Sequence, residues 1–298
     1  MASLQAFYHV PKTLPTSLMK WHPGHVLVFT LLIPALRYLC NDYREYIALG
    51  PGGTPATVPG YLRVKFLGLF ALSNPYEPPV VPLYMTQKRG RLSTLPNRQG
   101  CRPKTRGIAP HRQTSQKVSP EVFALLSATI STMAAENNHI EEGTSCFEKH
   151  GPGLFSTFPL RRTCRGEICH AHPSDGSLHL TLHPADAKLV LEAGWGERHP
   201  LARGGWLERF VPGGFMMMYA PRNEEEVDVV AELIQAAAWW VGGEDIKTPA
   251  DIRREHVKHV DVLDGHLEAK PGSKSIVNAE THTSTLSESR NCEHFAST

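Results

Sequence analysis

Apolar and polar positions alternate along residues 167–180, EICHAHPSDGSLHL, on both sides of a turn signal. Residues 173–176 (PSDG) favour a tight turn, and both flanks are predicted strands. With PSDG in the loop, His170 faces His179 and His172 faces Ser177, so three imidazoles project from one face of the hairpin. The opposite face is apolar on both strands, which supports this register. Its residues are Cys169, Ala171, Leu178 and Leu180.

Helical spacing of apolar residues marks three further segments. Residues 119–138 begin with an N-cap serine and a proline, and residues 184–193 begin with proline and end before a glycine. The last segment, 223–242, has Asn223 as its N-cap and three glutamates at the positive end of the helix dipole. All three segments are therefore predicted helices.

Two more segments complete the predicted sheet. Residues 194–201 (GWGERHPL) form a strand or a turn, and residues 213–221 (GGFMMMYAP) form a strand. The order strand, strand, helix, strand, strand, helix is typical of the α+β class, with helices packed on one face of an antiparallel sheet. The leucine face of the hairpin should meet the helices. The histidine face is then open or covered by N-terminal segments.

The N-terminal region contains an apolar tract, residues 21–36 (WHPGHVLVFTLLIPAL), without a charged side chain and with basic residues on both sides. A full membrane span needs about 20 apolar residues, so the tract is short. A signal anchor, an interfacial helix, a cleaved signal peptide and an amphipathic lid all remain open. We predict membrane association through residues 21–40, as a single N-terminal anchor of an endomembrane protein.

Composition divides the chain into four predicted regions. Residues 1–48 carry the anchor, residues 49–118 are a linking region rich in Pro and Gly, residues 119–245 form the α+β domain, and residues 246–298 form a polar, largely disordered tail. The chain of 298 residues is 41% hydrophobic, which is enough for a substantial core.

Charge excludes one class of partner. The chain has 31 Lys and Arg against 29 Asp and Glu, a formal net charge of +2. No segment concentrates basic residues among aromatic ones, as a nucleic-acid-binding face does. We therefore expect no nucleic-acid partner.

Two late motifs carry a family resemblance. Residues 194–202 (GWGERHPLA) and 215–226 (FMMMYAPRNEEE) resemble the pattern of the fungal luciferases and their non-luminous relatives, and the likeness extends back through the histidine hairpin. It covers most of residues 40–242. The resemblance implies a membrane-associated protein and, for luminous members, oxidation of a 3-hydroxyhispidin-type pyrone by molecular oxygen as co-substrate, with no organic cofactor and no metal.

That chemistry requires a base near neutral pH and groups that stabilise an enolate and a peroxide. The candidate catalytic residues are His170, His172 and His179. Candidate anion stabilisers are Arg198, His199 and Arg222, and two aromatic residues, Trp195 and Tyr219, are candidates to stack on a flat ring.

Other interpretations of the histidines remain open. A His-x-His pair with a facing third imidazole is also compatible with a three-ligand metal site or with a structural polar cluster. The predicted function is a luciferase-like, cofactor-independent oxygenase acting on a hydroxypyrone or a related polyketide. The alternative is a non-luminous, membrane-tethered module that binds a small aromatic ligand or a protein partner without catalysis. A zinc hydrolase rests on the histidine spacing alone.

Overall fold

The computed structural model describes residues 23–254, and the chain divides into a unit that ends at Glu45 and a unit that begins at Tyr46. The helices are α1 Pro23–Ala48, α2 Val58–Gly68, α3 Pro120–Ala135, α4 Pro184–Glu192 and α5 Glu224–Gly242, with a short 3-10 helix at Gly205–Arg209. The strands are β1 Thr105–Gly107, β2 His111–Gln113, β3 Ile140–Thr144, β4 Pro152–Ser156, β5 Glu167–Ala171, β6 Leu178–Thr181, β7 Gly196–Arg198 and β8 Phe215–Met218.

The second unit contains a six-stranded sheet in the order β3-β4-β5-β6-β8-β7, and every neighbouring pair of strands is antiparallel. The predicted α+β class with an antiparallel sheet is confirmed. The hairpin register is also confirmed, since His170 pairs with His179 and Cys169 with Leu180. Strands β3 and β4 were not predicted, because the sequence of β3, IEEGT, lacks an alternation of apolar and polar residues.

Helices α3 and α5 pack against each other and against the sheet, and α5 contacts β4, β5 and β6. The Asn223 side chain accepts from the Glu226 N–H at the start of α5, and Gly243 ends the helix in a left-handed conformation that glycine adopts without strain. The leucine face of the hairpin joins these helices in the main core, where Leu178 and Leu180 are fully buried. Each such side chain contributes about 1.5–3 kcal/mol to folding.

The histidine face is covered as well. A small hairpin of β1 and β2 and the segment around Phe147 lie against it, and His111 of β2 is within hydrogen-bond distance of His179. His170 and His179 are only 2% and 3% exposed. Of the two predicted arrangements for this face, the structure shows the covered one; β1 and β2 come from the predicted linking region, and Phe147 comes from the predicted α+β domain.

The prediction of an N-terminal membrane anchor is contradicted. Within residues 23–254, no helix is long and apolar enough to cross a membrane. The apolar tract enters α1, but Arg37, Asp42 and Arg44 follow within the same helix, so the apolar run is shorter than a span requires. The membrane localisation built on residues 21–40 is therefore wrong; residues 21 and 22 lie outside the described residues.

The predicted polar tail begins at residue 246, and its residues 255–298 lie outside the part of the chain that the structure describes. In the described part, Ile246 is buried in the main core, and its carbonyl accepts from the Gln235 side chain of α5. Thr248 and Asp251 form hydrogen bonds with each other. The division of the chain into four regions stays a prediction.

Candidate functional site

The β5–β6 hairpin brings the three predicted imidazoles into one buried cluster. His179 Nδ1 lies 3.2 Å from His170 Nε2 and 3.1 Å from His172 Nε2. Alternation of side chains places His170 of β5 and His172, which directly follows β5, on one face, and the pairing of His170 with His179 brings the third ring to the same face. The three rings form the centre of what we call the histidine cluster.

Two more histidines complete the histidine cluster. His111 Nδ1 lies 3.3 Å from His179 Nε2, and the ring of His199 stands edge-on to that of His111, with 5.3 Å between the centroids. His199 is held by backbone: its Nε2 donates to the Ile108 carbonyl, and its Nδ1 accepts from the Leu201 N–H. His199 was predicted as a substrate-binding residue and lies beside the predicted bases, whereas His111 was not predicted.

A buried carboxylate anchors one end of the histidine cluster. Glu167 Oε1 lies 2.6 Å from His170 Nδ1, and the same carboxylate accepts from Ser145 Oγ and from the Cys146 N–H. Glu167 thus fixes the His170 ring and the segment that leads to Glu148. Glu148 reaches the cluster from this segment, with its Oε1 3.6 Å from His172 Nε2.

Arg112 holds the Glu148 carboxylate. Its guanidinium donates to both oxygens, at 3.1 and 2.6 Å, and also to the Pro51 carbonyl. This bidentate geometry neutralises the buried charge and fixes the plane of the carboxylate. Glu148 therefore has one defined orientation toward His170 and His172.

A second carboxylate, Glu197 of β7, anchors the other end. It lies 3.1 Å from His111 Nε2 and accepts from Thr105 Oγ1 at 2.7 Å and from the Tyr219 hydroxyl at 3.0 Å. The Tyr76 hydroxyl lies 3.4 Å from the same group. A line of close polar contacts thus runs from Glu197 through His111, His179 and His170 to Glu167.

Burial sets the charge state of the histidine cluster. Loss of solvent lowers the pKa of His172 to about 3 and lowers the pKa values of His179 and His199 well below the ordinary value. Burial raises the pKa of Glu148, but contacts with His172 and Arg112 outweigh this, so its net pKa lies below the ordinary value. At neutral pH, His172, His179 and His199 are therefore neutral and Glu148 is ionised.

A cavity of about 90 Å³ borders the histidine cluster. Its polar wall is formed by Glu148 and four of the imidazoles, and its apolar wall includes Phe147 and Phe215. The Phe215 ring stacks on His179, with centroids 5.0 Å apart. Small-molecule sites usually have volumes of about 300–1,000 Å³, so this cavity suits a very small molecule in the conformation shown.

Three of the predicted substrate-binding residues make their contacts elsewhere. Trp195 lies in the main core, with its indole N–H donating to the Pro96 carbonyl. Arg198 donates to the carbonyls of Glu77 and Ala202, and Arg222 pairs with Glu226 at the start of α5. None of the three lines the described cavity.

Tyr219 occupies an intermediate place. Its hydroxyl reaches the histidine cluster through Glu197, while the Arg98 guanidinium lies 5.7 Å from its ring centroid. It is fully buried and does not line the cavity. The roles proposed for all eight predicted site residues stay predictions.

Sequence reasoning missed residues from three segments: His111 and Arg112 in β2, Glu148 in the segment after β3, and Glu167 at the start of β5. His111, Arg112 and Glu148 stand in irregular sequence, where no periodicity indicates which side chains meet. Glu167 opens β5, but strand alternation alone predicts that Glu167 and His170 lie on opposite faces. Their contact accompanies a register shift between β4 and β5, which the sequence does not indicate.

The fold and the site define an α+β protein in which one face of a sheet carries a buried histidine cluster at a small cavity. Residues 165–237 match the family model described as "Luciferase domain". This match includes the β5–β6 hairpin, His199 and Tyr219.

Curated relatives extend the similarity over most of the chain. The chain is 35% identical to a luciferase of Neonothopanus nambi over 239 residues, which covers 72% of this chain and 84% of the relative. It is 36% identical to luciferases of Armillaria gallica and Armillaria mellea, covering 68% and 69% of this chain and 81% and 82% of those relatives. The protein belongs to the fungal luciferase family. No solved structure matches the chain.

Proposed function

We propose that the protein is a luciferase-type oxygenase that joins molecular oxygen to an electron-rich hydroxypyrone of the 3-hydroxyhispidin type or a related polyketide. The observation that carries the proposal is the histidine cluster at the cavity wall, inside the region that matches the family model. A hydroxypyrone reacts with oxygen once it is an enolate, so the site must take up or share the hydroxyl proton.

The electrostatics of the cavity wall support this chemistry. Neutral imidazoles offer lone pairs to a substrate hydroxyl, and His170 is backed by Glu167, which stabilises an imidazolium as it forms. His170 and His179 line the cavity, whereas His172 does not. Among the three predicted bases, we therefore assign contact with substrate to His170 and His179.

The apolar wall supports an oxygenase rather than a hydrolase. Phe147, Phe215 and Val211 form an apolar wall beside the imidazoles. A dry site protects an energy-rich peroxide from hydrolysis. The cavity of about 90 Å³ has room for dioxygen, whereas binding of a hydroxypyrone requires a larger cavity.

Oxygen uptake and light emission test the proposal. The purified chain is mixed with a 3-hydroxypyrone while an oxygen electrode and a luminometer record the reaction from about pH 6 to 9, the range in which a histidine-based site acts. We expect oxygen consumption that His179→Ala abolishes. His183→Asn is the matched control. His183 is a fully buried histidine that caps α4 and lies outside the histidine cluster. No uptake by the unaltered chain at any pH contradicts the proposal.

A non-catalytic binding module is the second candidate, and the deep burial of the imidazoles, which limits their contact with a substrate, favours it. Its function would be to hold a small aromatic ligand beside the imidazoles. Saturable binding of the pyrone, measured by calorimetry without oxygen uptake, would support this candidate over the oxygenase.

A further inference from the structure

We propose that Glu148, His170, His172 and His179 form a binding site for one divalent first-row transition-metal ion. One ligand atom from each of these residues lies within 4.8 Å of the others, and all four residues are buried. The proposal rests on the geometry of the cluster and not on the proposed oxygenase activity. It departs from the expectation of a metal-free site, which stays a prediction until metal content is measured.

The first step is the position of the proton on His170. Glu167 already accepts from Ser145 Oγ at 2.8 Å and from the Cys146 N–H at 2.7 Å, so its carboxyl oxygens act as acceptors here. His170 Nδ1, at 2.6 Å, therefore donates to Glu167. The other nitrogen of His170, Nε2, is left with a lone pair that points into the cluster.

The position of the proton on His172 follows from its neighbours in the same way. Asp175 accepts from two backbone N–H groups, those of Ser177 and Gln113. Ser177 Oγ lies 2.6 Å from Asp175 and gives it the single hydroxyl proton, so the hydroxyl accepts from His172 Nδ1 at 2.9 Å. His172 Nε2 therefore also carries a lone pair and no proton.

The third step follows from the line of partners that ends at Glu197. Glu197 accepts from Thr105 and lies 3.1 Å from His111 Nε2, so His111 donates from Nε2 and its Nδ1 is an acceptor. His179 Nε2, at 3.3 Å, supplies the proton to His111 Nδ1. His179 Nδ1 therefore carries the third lone pair.

These three lone pairs meet one another. His179 Nδ1 lies 3.2 Å from His170 Nε2 and 3.1 Å from His172 Nε2, and Glu148 Oε1 lies 3.9 and 3.6 Å from the same two nitrogens. No proton remains to turn these contacts into hydrogen bonds, so the four atoms repel unless a cation lies between them. Ligands 2.0–2.2 Å from a tetrahedral ion are about 3.3–3.6 Å apart, close to the distances observed.

The surrounding charges favour a cation. Four buried carboxylates, those of Glu148, Glu167, Asp175 and Glu197, surround the imidazoles, and Arg112 is paired with the first of them. Burial of several anions is costly without compensation, and a dication supplies it. Glu167 and Ser177 act as outer partners that hold the ligand rings, an arrangement typical of histidine metal sites.

A neighbouring group of His111, His179 and His199 is a weaker candidate. Both ring nitrogens of His199 are used by backbone groups, and His111 Nε2 is used by Glu197. These rings offer fewer free lone pairs than the first group. The ion therefore belongs among Glu148, His170, His172 and His179.

The ligand set indicates the class of ion and the side of the ion on which a coordination position is open. Three imidazoles and one carboxylate suit Zn²⁺, Fe²⁺ or Co²⁺ rather than Ca²⁺ or Mg²⁺, which prefer oxygen ligands. Glu148, His170 and His179 line the cavity, so an additional coordination position faces it. With an ion bound, the enolate oxygen of a substrate would contact the ion, whereas without an ion it would contact an imidazole.

Metal analysis of the full chain tests the proposal. The protein is purified without a polyhistidine tag or chelator, exposed separately to Zn²⁺, Co²⁺ and anaerobic Fe²⁺, desalted, and measured by plasma mass spectrometry. We expect about one ion per chain and, with Co²⁺, a visible absorption band of four- or five-coordinate geometry. A chain that retains none of the three ions overturns the proposal.

Variants locate the ion. His172→Ala and Glu148→Gln should each weaken metal binding more than tenfold, and Glu167→Gln about 10–100-fold through loss of the outer partner of His170. His183→Asn is the matched control and should bind like the unaltered chain. Retention of full affinity by the cluster variants overturns the proposal.

A measurement on the unaltered chain covers the case in which a variant fails to fold. A chelator should lower the melting temperature, and added metal should restore it, because the ion binds only the folded state. Melting that is indifferent to both overturns the proposal. Since no pyrone is present in these experiments, failure of the metal site and failure of the oxygenase function are separate results.

Discussion

The two faces of the β5–β6 hairpin are equally inaccessible to solvent and chemically opposite. Leu178 and Leu180 on one face are fully buried, and His170 and His179 on the other are almost as deeply buried. The leucine face packs against helices and needs no specific partner. On the histidine face, carboxylates, a serine and backbone groups hold the outer ring nitrogens, and the remaining nitrogens face one another.

Depth of burial alone therefore does not distinguish an apolar core from a functional site. An apolar face gains stability from every side chain that leaves water. A polar face at the same depth loses solvation, and well-packed apolar residues in its place are often neutral or stabilising. The histidine face is therefore better explained by chemistry than by stability, and four substitutions or conditions test that contrast.

The largest effect is expected from Arg112→Met. This change leaves the Glu148 carboxylate buried without its cation, which should cost about 3–5 kcal/mol in the free energy of unfolding. Urea unfolding followed by circular dichroism measures it. The double variant Arg112→Met/Glu148→Gln should recover part of the loss; a double variant as unstable as the sum of the single changes would show that the two residues do not act as a pair.

On the leucine face, Leu180→Ala should cost about 2–5 kcal/mol, because it leaves a cavity beneath the helices. The same unfolding experiment measures it. Leu160→Ala is the control, since Leu160 is 71% exposed and its truncation should change stability by less than about 0.5 kcal/mol. Equal losses at the two positions would contradict the assignment of this face as core.

The pH dependence of stability tests the histidine face. The folded-state pKa values of His172, His179 and His199 lie below the unfolded value of about 6.5, so the unfolded chain binds more protons as the pH falls. Each of these residues should therefore remove about 1.4 kcal/mol of stability per pH unit below that value, with no loss above it.

Unfolding by urea at pH values between 7 and 5, about the window of histidine titration, measures this slope. In the variant His172→Asn, the dependence of the free energy of unfolding on pH should be smaller by the contribution of one histidine. The variant His183→Asn is measured for comparison. A flat stability profile across this window would mean that the cluster takes up protons without unfolding.

The smallest effect is expected at the helix cap. Asn223→Ala removes the side chain that accepts from the Glu226 N–H at the start of α5, and it should cost about 0.5–2 kcal/mol. Thermal unfolding measures it, and Asn223→Asp should retain most of the stability. A loss as large as that of Leu180→Ala would mean that the cap, rather than the packed face, determines the stability of this helix.

The hairpin, the three later helices and the antiparallel sheet could be predicted because each has a local signal. PSDG determines the loop, the loop determines the register, and the register places His170 opposite His179. The cap at Asn223 likewise marks the start of its helix. These features depend on residues close together in sequence.

The cover of the histidine face could not be predicted, because it depends on contacts between distant segments. His111 meets His179 across 68 residues, and Arg112 meets Glu148 across 36. Neither segment has a periodicity that shows which face it presents. The anchor prediction failed for a local reason, because Arg37, Asp42 and Arg44 continue the same helix and leave an apolar run shorter than a membrane span.

We infer that the histidine face is arranged to hold an ion at the cavity. X-ray absorption at the edge of the bound metal tests this most directly in the chain loaded with Zn²⁺ or Co²⁺. The account predicts scattering from three imidazoles and from an oxygen ligand, all at about 2.0–2.2 Å. A metal surrounded by oxygen atoms without imidazole scattering, or the same spectrum from His172→Ala, would contradict it.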